Sequence, residues 1–336
     1  MNISEFAKFA GVSRSAVSRY FNDGYLSEDK KKLIEAAIEK TGYSPSVTAR
    51  NTSNRVTKLV GVIIPKVSSE SCARVTEGIS TVLDKAGYKM LLVNTANDNR
   101  REVESLELFR TNRVDGVILL GTIFTDLHKA VLAKMRVPVI VVGQMIKGFS
   151  CICHNDEGAA CALTALMIEK GAKRPAMIAV TQEDRAAGFA RVEGFKKALK
   201  NADIAFDEKF VEYSDFTIDS GYKAAKRLFS RYEHPDAIFC ATDTIAAGAA
   251  LYCREAKIAI PDDVMLCGIG CAKIGRAAYP SITSARLHYK TAGIEAANML
   301  LSTVKHRDSI QRLLELDYDI VERESTGGTS DIGIWD

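Results

Sequence analysis

The sequence predicts a small all-helical headpiece at the N-terminus, followed by a larger two-lobed α/β core with parallel sheets. Three observations predict it. Before residue 45, apolar residues recur only at helical spacing. After residue 59, short continuous apolar runs alternate with amphipathic segments, as strands of covered parallel sheets do. Those runs fall into two groups, one ending near residue 153 and one beginning near residue 176.

The helices of the headpiece follow in order. Ile3, Phe6, Ala7 and Ala10 share one helical face, and Gly11 closes that helix as a C-cap glycine would. Ser13 stands at an N-cap position, and Ala16, Val17 and Tyr20 give the second helix, 13–21, its apolar face. Asn22-Asp23-Gly24 is turn chemistry. A third helix is expected over 28–40, with Leu33, Ala36, Ala37 and Ile38 apolar, ended by Thr41-Gly42 before Pro45. Residues 46–58 are polar and lack an apolar stripe, so they read as a hinge or linker.

The core spans 59–330. Strands are expected at 59–64, 90–93, 117–120, 137–142, 176–180, 237–241 and 264–267. Val75, Ile79, Val82 and Leu83 form one amphipathic helical face, and Val192, Phe195 and Leu199 another. The first lobe takes about 59–155 and the second about 156–285, with the remaining C-terminal segments crossing between them. Ligands of such sheets sit at the carboxyl ends of the strands, so a cleft between the lobes is the expected site.

Composition excludes several classes. The chain has 336 residues, 47% hydrophobic and 26% charged, as a globular protein of more than one domain does. No apolar run has the roughly 18 residues of a membrane span, and no secretory signal stands at the N-terminus, so a cytoplasmic protein is expected. The eight cysteines form no Cys-x-x-Cys pair and read as small buried hydrophobes. Residues 1–58 hold ten Lys and Arg against six Asp and Glu, a basic block on a near-neutral body that suits an anionic partner. Neither a Gly-x-Ser-x-Gly elbow nor a Walker loop is present, and the five histidines are scattered. No catalytic group, metal or cofactor is expected.

The most specific signal is Phe6-Ala7-Lys8-Phe9-Ala10-Gly11-Val12-Ser13-Arg14-Ser15-Ala16-Val17-Ser18-Arg19, which resembles the helix-turn-helix of the Lac repressor family. Ile38-Glu39-Lys40-Thr41-Gly42-Tyr43-Ser44-Pro45 resembles the end of that family's headpiece. Arg113-Val114-Asp115-Gly116, Arg191-Val192-Glu193-Gly194-Phe195 and Glu322-Arg323-Glu324-Ser325-Thr326 resemble its core landmarks, so the likeness runs nearly end to end. Ser18-Arg19-Tyr20-Phe21-Asn22 and Val142-Gly143-Gln144 look most like the sucrose-type repressors of Gram-positive bacteria. The resemblance implies a periplasmic-binding-protein-like core, a homodimer on a pseudo-palindromic double-stranded operator, and control of a carbohydrate operon by a sugar or sugar-phosphate effector.

The resemblance also implies site residues. Ser13, Arg14, Ser15, Ser18 and Arg19 would face the major groove, with Asn22, Thr48, Arg50 and Thr52 as further DNA contacts. Thr52 departs from the family pattern, because it stands where a leucine commonly wedges into the minor groove. In the effector cleft, Phe216 would pack on the ligand, Arg191 would hydrogen-bond it, and Ser71, Cys72, Arg185 and Asp243 would line it. His154, Thr242 and Cys271 stand where the family often has Asp, Asn and Asp, which removes acceptors for sugar hydroxyls. Control by a partner protein or by a non-sugar ligand stays open, as does a solute-binding protein without a regulatory role.

Overall fold

A computed structural model of the chain describes residues 1–21, 24–43, 56–306 and 310–329. They divide into two compact units, one ending at Thr57 and one beginning at Lys58.

The first unit is three helices around one small core: α1 (Ile3–Phe9), α2 (Arg14–Tyr20) and α3 (Glu28–Thr41). Asn2 opens α1 with a capping box, accepting from the Ser4 and Glu5 amides while Glu5 returns a bond to the Asn2 amide. Gly11 takes the left-handed φ of +68° that the turn requires. Ser13 caps α2 by accepting from the Ala16 amide at 3.2 Å. Phe6, fully buried, stacks on Tyr43 at 4.1 Å between ring centres, with Ala7, Val17, Ile34 and Ala37 around them. Burying each large side chain of this kind contributes roughly 1.5–3 kcal/mol.

In α3 the apolar residues divide between core and surface. Leu33 is 50% exposed and Ala36 is also exposed, whereas Ile34 is fully buried with Ala37. The inward stripe is Ile34, Ala37 and Ile38. Leu33 and Ile34 are adjacent and both apolar, so periodicity leaves the phase to packing.

The second unit holds two six-stranded sheets. The first lobe is built from β1 (Leu59–Ile64), α4 (Glu70–Lys85), β2 (Lys89–Asn94), α5 (Asn99–Thr111), β3 (Gly116–Leu120), α6 (Asp126–Leu132), β4 (Val139–Val142) and β5 (Ser150–His154). The second contains α7 (Asp156–Glu169), β6 (Pro175–Ala179), a π-helical turn (Arg185–Ala190), α8 (Arg191–Asn201), β7 (Val211–Tyr213), α9 (Ile218–Phe229), β8 (Ala237–Cys240), α10 (Asp243–Ala256), β9 (Met265–Ile269), α11 (Lys273–Ala277) and β10 (Thr283–Leu287). The chain then returns through α12 (Tyr289–His306), β11 (Leu313–Leu316) and β12 (Tyr318–Val321).

The strand orders are β11-β5-β4-β3-β1-β2 and β12-β10-β9-β8-β6-β7. All pairings are parallel except β10 with β12. β11 thus belongs to the first sheet and β12 to the second, and α12 buries Ala292, Ala296 and Leu300 in the first lobe's core. The chain therefore passes between the lobes three times, at Asn155, His288 and Asp317. Where α12 crosses α4, Gly78 and Gly293 let the backbones touch. A Cβ on Gly78 would stand 2.1 Å from the Lys290 carbonyl oxygen, and one on Gly293 would stand 2.0 Å from that of Val75.

Lys58, expected to close the linker, is fastened to this second unit. Its amide donates to Asp115 at 2.7 Å, and its ammonium lies 4.2 Å from the centre of the Tyr88 ring. Seven of the eight cysteines are buried and all are free thiols; Cys161 is the partly exposed one. Among the described residues no helix is long and apolar enough to cross a membrane, and no His, Cys, Asp and Glu group is placed to hold a metal.

Candidate functional site: a helix-turn-helix surface and an interlobe cleft

The two units carry separate candidate surfaces. On α2, Ala16 and Val17 turn into the headpiece core. Ser13, Arg14, Ser15, Ser18 and Arg19 are left exposed on the same short helix. Ser13 and Ser15 share a hydroxyl contact of 2.9 Å at its N-terminal turn. An exposed helix with two arginines and three hydroxyls can address phosphates and base edges alike. Asn22, Thr48, Arg50 and Thr52 lie outside the described residues.

In the second unit a cavity of about 500 Å³ opens between the lobes. Its walls come from the carboxyl ends of the strands. Pro65 follows β1, Gly121 follows β3, Gly143 follows β4, and His154 ends β5; Ile269 and Leu287 end β9 and β10. Of the residues expected here, Ser71, Cys72, His154, Arg191, Phe216, Thr242 and Asp243 line the cavity.

Arg185 and Cys271 do not line it. Arg185 is exposed, and its guanidinium lies 4.6 Å from the centre of the Phe189 ring. The cause is local. The backbone after Asp184 runs as a π-helical turn that sequence periodicity cannot announce. Gly188 permits it, because a Cβ there would stand 1.9 Å from the Thr181 carbonyl oxygen. The turn faces Asp184 inward and Arg185 outward. Cys271 is buried behind the cavity wall, with its sulfur 3.8 Å from Arg323 and its amide donating to Ser284 at 2.9 Å. Burial pushes its thiol up.

The lining residues already have partners of their own. Arg191 is buried and places Nη2 and Nε at 2.7 and 2.8 Å from one oxygen of Asp156, while Nη1 donates to the Ala241 carbonyl. Asp243 is fully buried, accepting from the Ala272 amide at 2.6 Å and the Ser284 hydroxyl at 2.7 Å. Burial nevertheless pushes its carboxyl up to about 6. Thr242 caps α10 through the Ile245 amide. His154 is buried edge-on to Tyr289, 5.1 Å between ring centres, and burial holds its imidazole below the usual range. Its Nε2 is buried without a hydrogen-bond partner among the described residues. Phe216 is half-buried and held at a φ of +66°, a strained backbone for a non-glycine residue at the cavity wall.

Sequence reasoning missed Asp156, Asp184 and Tyr289, which all line the cavity. Asp156 stands two residues beyond His154, so a scan for carboxylates near that position would have found it. Nothing in the sequence marks Asp184. Two links across the cleft were also invisible. Gln144 donates to the Thr122 carbonyl and to Asp184 at 3.2 Å. Arg74 donates to the carbonyls of Gly270 and Cys271, and Glu70 accepts from the Lys273 amide at 2.9 Å.

A helix-turn-helix unit together with a two-lobed ligand-cleft unit defines a ligand-responsive DNA-binding regulator. Comparison with known proteins agrees. Residues 2–46 match the family of bacterial regulatory proteins, lacI family, and residues 152–326 match the periplasmic binding protein-like domain. The chain is 31% identical to the sucrose operon repressor of Staphylococcus xylosus, over 93% of this chain and 97% of that one. A solved transcriptional regulator CelR-cellobiose complex has a TM-score of 0.76 at 27% identity, covering 97% of this chain and 99% of that one. The lac repressor dimer bound to operator has a TM-score of 0.83 at 19% identity, covering 97% and 99%, a likeness of fold. The chain belongs to the lacI family of bacterial regulatory proteins and is a DNA-binding transcription regulator, not an enzyme.

Proposed function

We propose that this regulator acts in the cytoplasm as the homodimeric repressor of a carbohydrate-utilisation operon, and that a sugar in the interlobe cleft alters its operator affinity. The cleft carries the reading. It sets two aromatic side chains, Phe216 and Tyr289, among hydroxyl, imidazole and carboxyl groups at the joint between two lobes. Sugar rings offer C–H faces for an aromatic and hydroxyls for such a polar set. A ligand that touches both lobes favours their closed arrangement through its differential contacts. The names of the relatives support sugar as the class: a sucrose operon repressor, and a regulator solved with cellobiose.

One headpiece reads only a few base pairs, so two-fold pairing on a pseudo-palindromic operator follows. Arg14, Ser15 and Ser18 read base edges, Ser13 and Arg19 hold phosphate or guanine, and Asn22, Thr48, Arg50 and Thr52 extend the contact.

The test maps bound genomic sites in cells. It then measures operator binding by fluorescence anisotropy with and without a panel of mono- and disaccharides and their phosphates. Sites beside carbohydrate genes, and an affinity that moves with a sugar, are expected. Affinity that no sugar or sugar phosphate moves would remove the sensing role.

A further inference from the structure

The charges of the cleft decide what kind of sugar fits, taking the cleft as the effector site proposed above. Three cations line it, Lys66, Arg74 and Arg191, against four carboxylates, Glu70, Asp156, Asp184 and Asp243. Two ion pairs are internal, Arg191 with Asp156 at 2.7 Å and Arg74 with Glu70 at 2.6 Å. Asp243 has the Ala272 amide and the Ser284 hydroxyl. What remains is Lys66, half-buried in the loop after β1, and Asp184, buried in the opposite lobe.

Asp184 is oriented as an acceptor. Its Oδ1 accepts from the Ala186 and Ala187 amides, both at 3.0 Å, and from Gln144 at 3.2 Å. Its Oδ2 takes no hydrogen bond among the described residues, and the residue lines the cavity. Arg191, the nearby cation, is already neutralised by Asp156. His154 adds a neutral imidazole whose Nε2 is buried and unpartnered. Among the described residues the buried wall around Asp184 therefore offers a carboxylate and an imidazole, while the unpaired cation, Lys66, stands on the opposite lobe. A hydroxyl placed there donates to Asp184. A phosphate dianion placed there meets the like charge of the Asp184 carboxylate at close range in a buried site, where such repulsion is weakly screened.

We infer that the effector is an uncharged, unphosphorylated mono- or disaccharide, and that Asp184 selects it against its phosphate ester by accepting its hydroxyls at Oδ2. The cavity volume lies in the roughly 300–1,000 Å³ range of small-molecule sites.

Titration calorimetry of the full chain tests this, with glucose, fructose, sucrose and cellobiose, and with phosphate monoesters of the same sugars. At least one uncharged sugar binds, and its phosphate ester binds at least about tenfold more weakly, a difference of about 1.4 kcal/mol. In Asp184→Asn, which keeps an acceptor for the two amides, sugar affinity falls by a similar factor and the gap to the ester narrows. The wild-type comparison stands even where a variant fails to fold, and a thermal melt shows which variants do fold. An ester that binds as tightly as its parent sugar overturns the inference and leaves the cleft a sensor. A folded Asp184→Asn with unchanged discrimination overturns the role of Asp184. Silence from every compound overturns both this inference and the sugar-sensing role.

Discussion

Arg74, on the first helix of the first lobe, donates to the carbonyl oxygen of Cys271 in the second lobe at 2.9 Å, and to that of Gly270 at 3.1 Å. Glu70, one turn earlier, pairs with Arg74 and accepts the Lys273 amide. Three contacts thus cross from one lobe to the other as one polar strap, with the Glu70–Arg74 pair holding its two side chains together. Hydrogen bonds to charged groups contribute about 1.5–3 kcal/mol each, so the strap weights the closed arrangement. A ligand that binds the closed form loses apparent affinity in proportion to the closed population. Arg74→Ala should therefore weaken sugar binding by about tenfold, about 1.4 kcal/mol, in a variant that still folds. Calorimetry of the variant checks this. Unchanged sugar affinity would show that the strap does not govern closure.

Arg191 was expected to serve the ligand, but its guanidinium is committed to Asp156 in a buried pair. Removing one member of such a pair leaves the other charge buried and uncompensated, which costs about 3–5 kcal/mol. Arg191→Ala should destabilise the second unit by that order, and its loss of sugar response is then partly a loss of fold. Arg191→Met combined with Asp156→Leu should recover most of the stability. Urea unfolding of the single and double variants measures it. A single variant as stable as the parent would mean that the pair carries no such weight.

The parts legible in the sequence are those fixed by local pattern. β1, β3, β4, β6, β8 and β9 are runs buried on both faces, and continuous apolar sequence marked each of them within two residues. β10, Thr-Ser-Ala-Arg-Leu, carries too many polar residues to stand out, yet it is buried because Ser325 and Thr326 satisfy Thr283. β11 and β12 joined different sheets through one intervening residue, a property of chain path rather than of pattern. In the cleft, Phe216, His154 and Asp243 were accessible through resemblance. Asp184 was not, because a single π-turn decides whether it or Arg185 faces inward.

Asp243 gives the second unit a pH dependence. Its folded carboxyl is pushed up to about 6 by burial, above its unfolded value. The folded state therefore holds a proton that the unfolded chain releases between about pH 4 and pH 6, and stability falls as pH rises through that window, by at most about 3 kcal/mol. Asp243→Asn cannot titrate and should flatten that part of the curve. The measurement is the difference in urea midpoints between wild type and variant at pH values spanning the window. A constant difference across it would show that Asp243 titrates normally.

Arg14 and Ser13 are neighbours on α2 with different tasks. Ser13 holds the helix start through the Ala16 amide, so Ser13→Ala should cost the headpiece about 1 kcal/mol and weaken binding to every DNA sequence alike. Arg14 is exposed beside the cap and, among the described residues, lies outside the headpiece's buried apolar cluster. Its side chain has the length and the paired donors to meet a guanine edge in the major groove. Arg14→Ala should leave the headpiece melting curve in place and cost roughly 1–3 kcal/mol on the best operator. It should also relax the preference at one base pair of each half-site, with little effect on random DNA. Anisotropy titrations on the operator, on operators changed one base pair at a time and on random duplex separate these outcomes. Equal losses on operator and random DNA would make Arg14 a phosphate contact, with sequence read by Ser15, Ser18 or Arg19 instead.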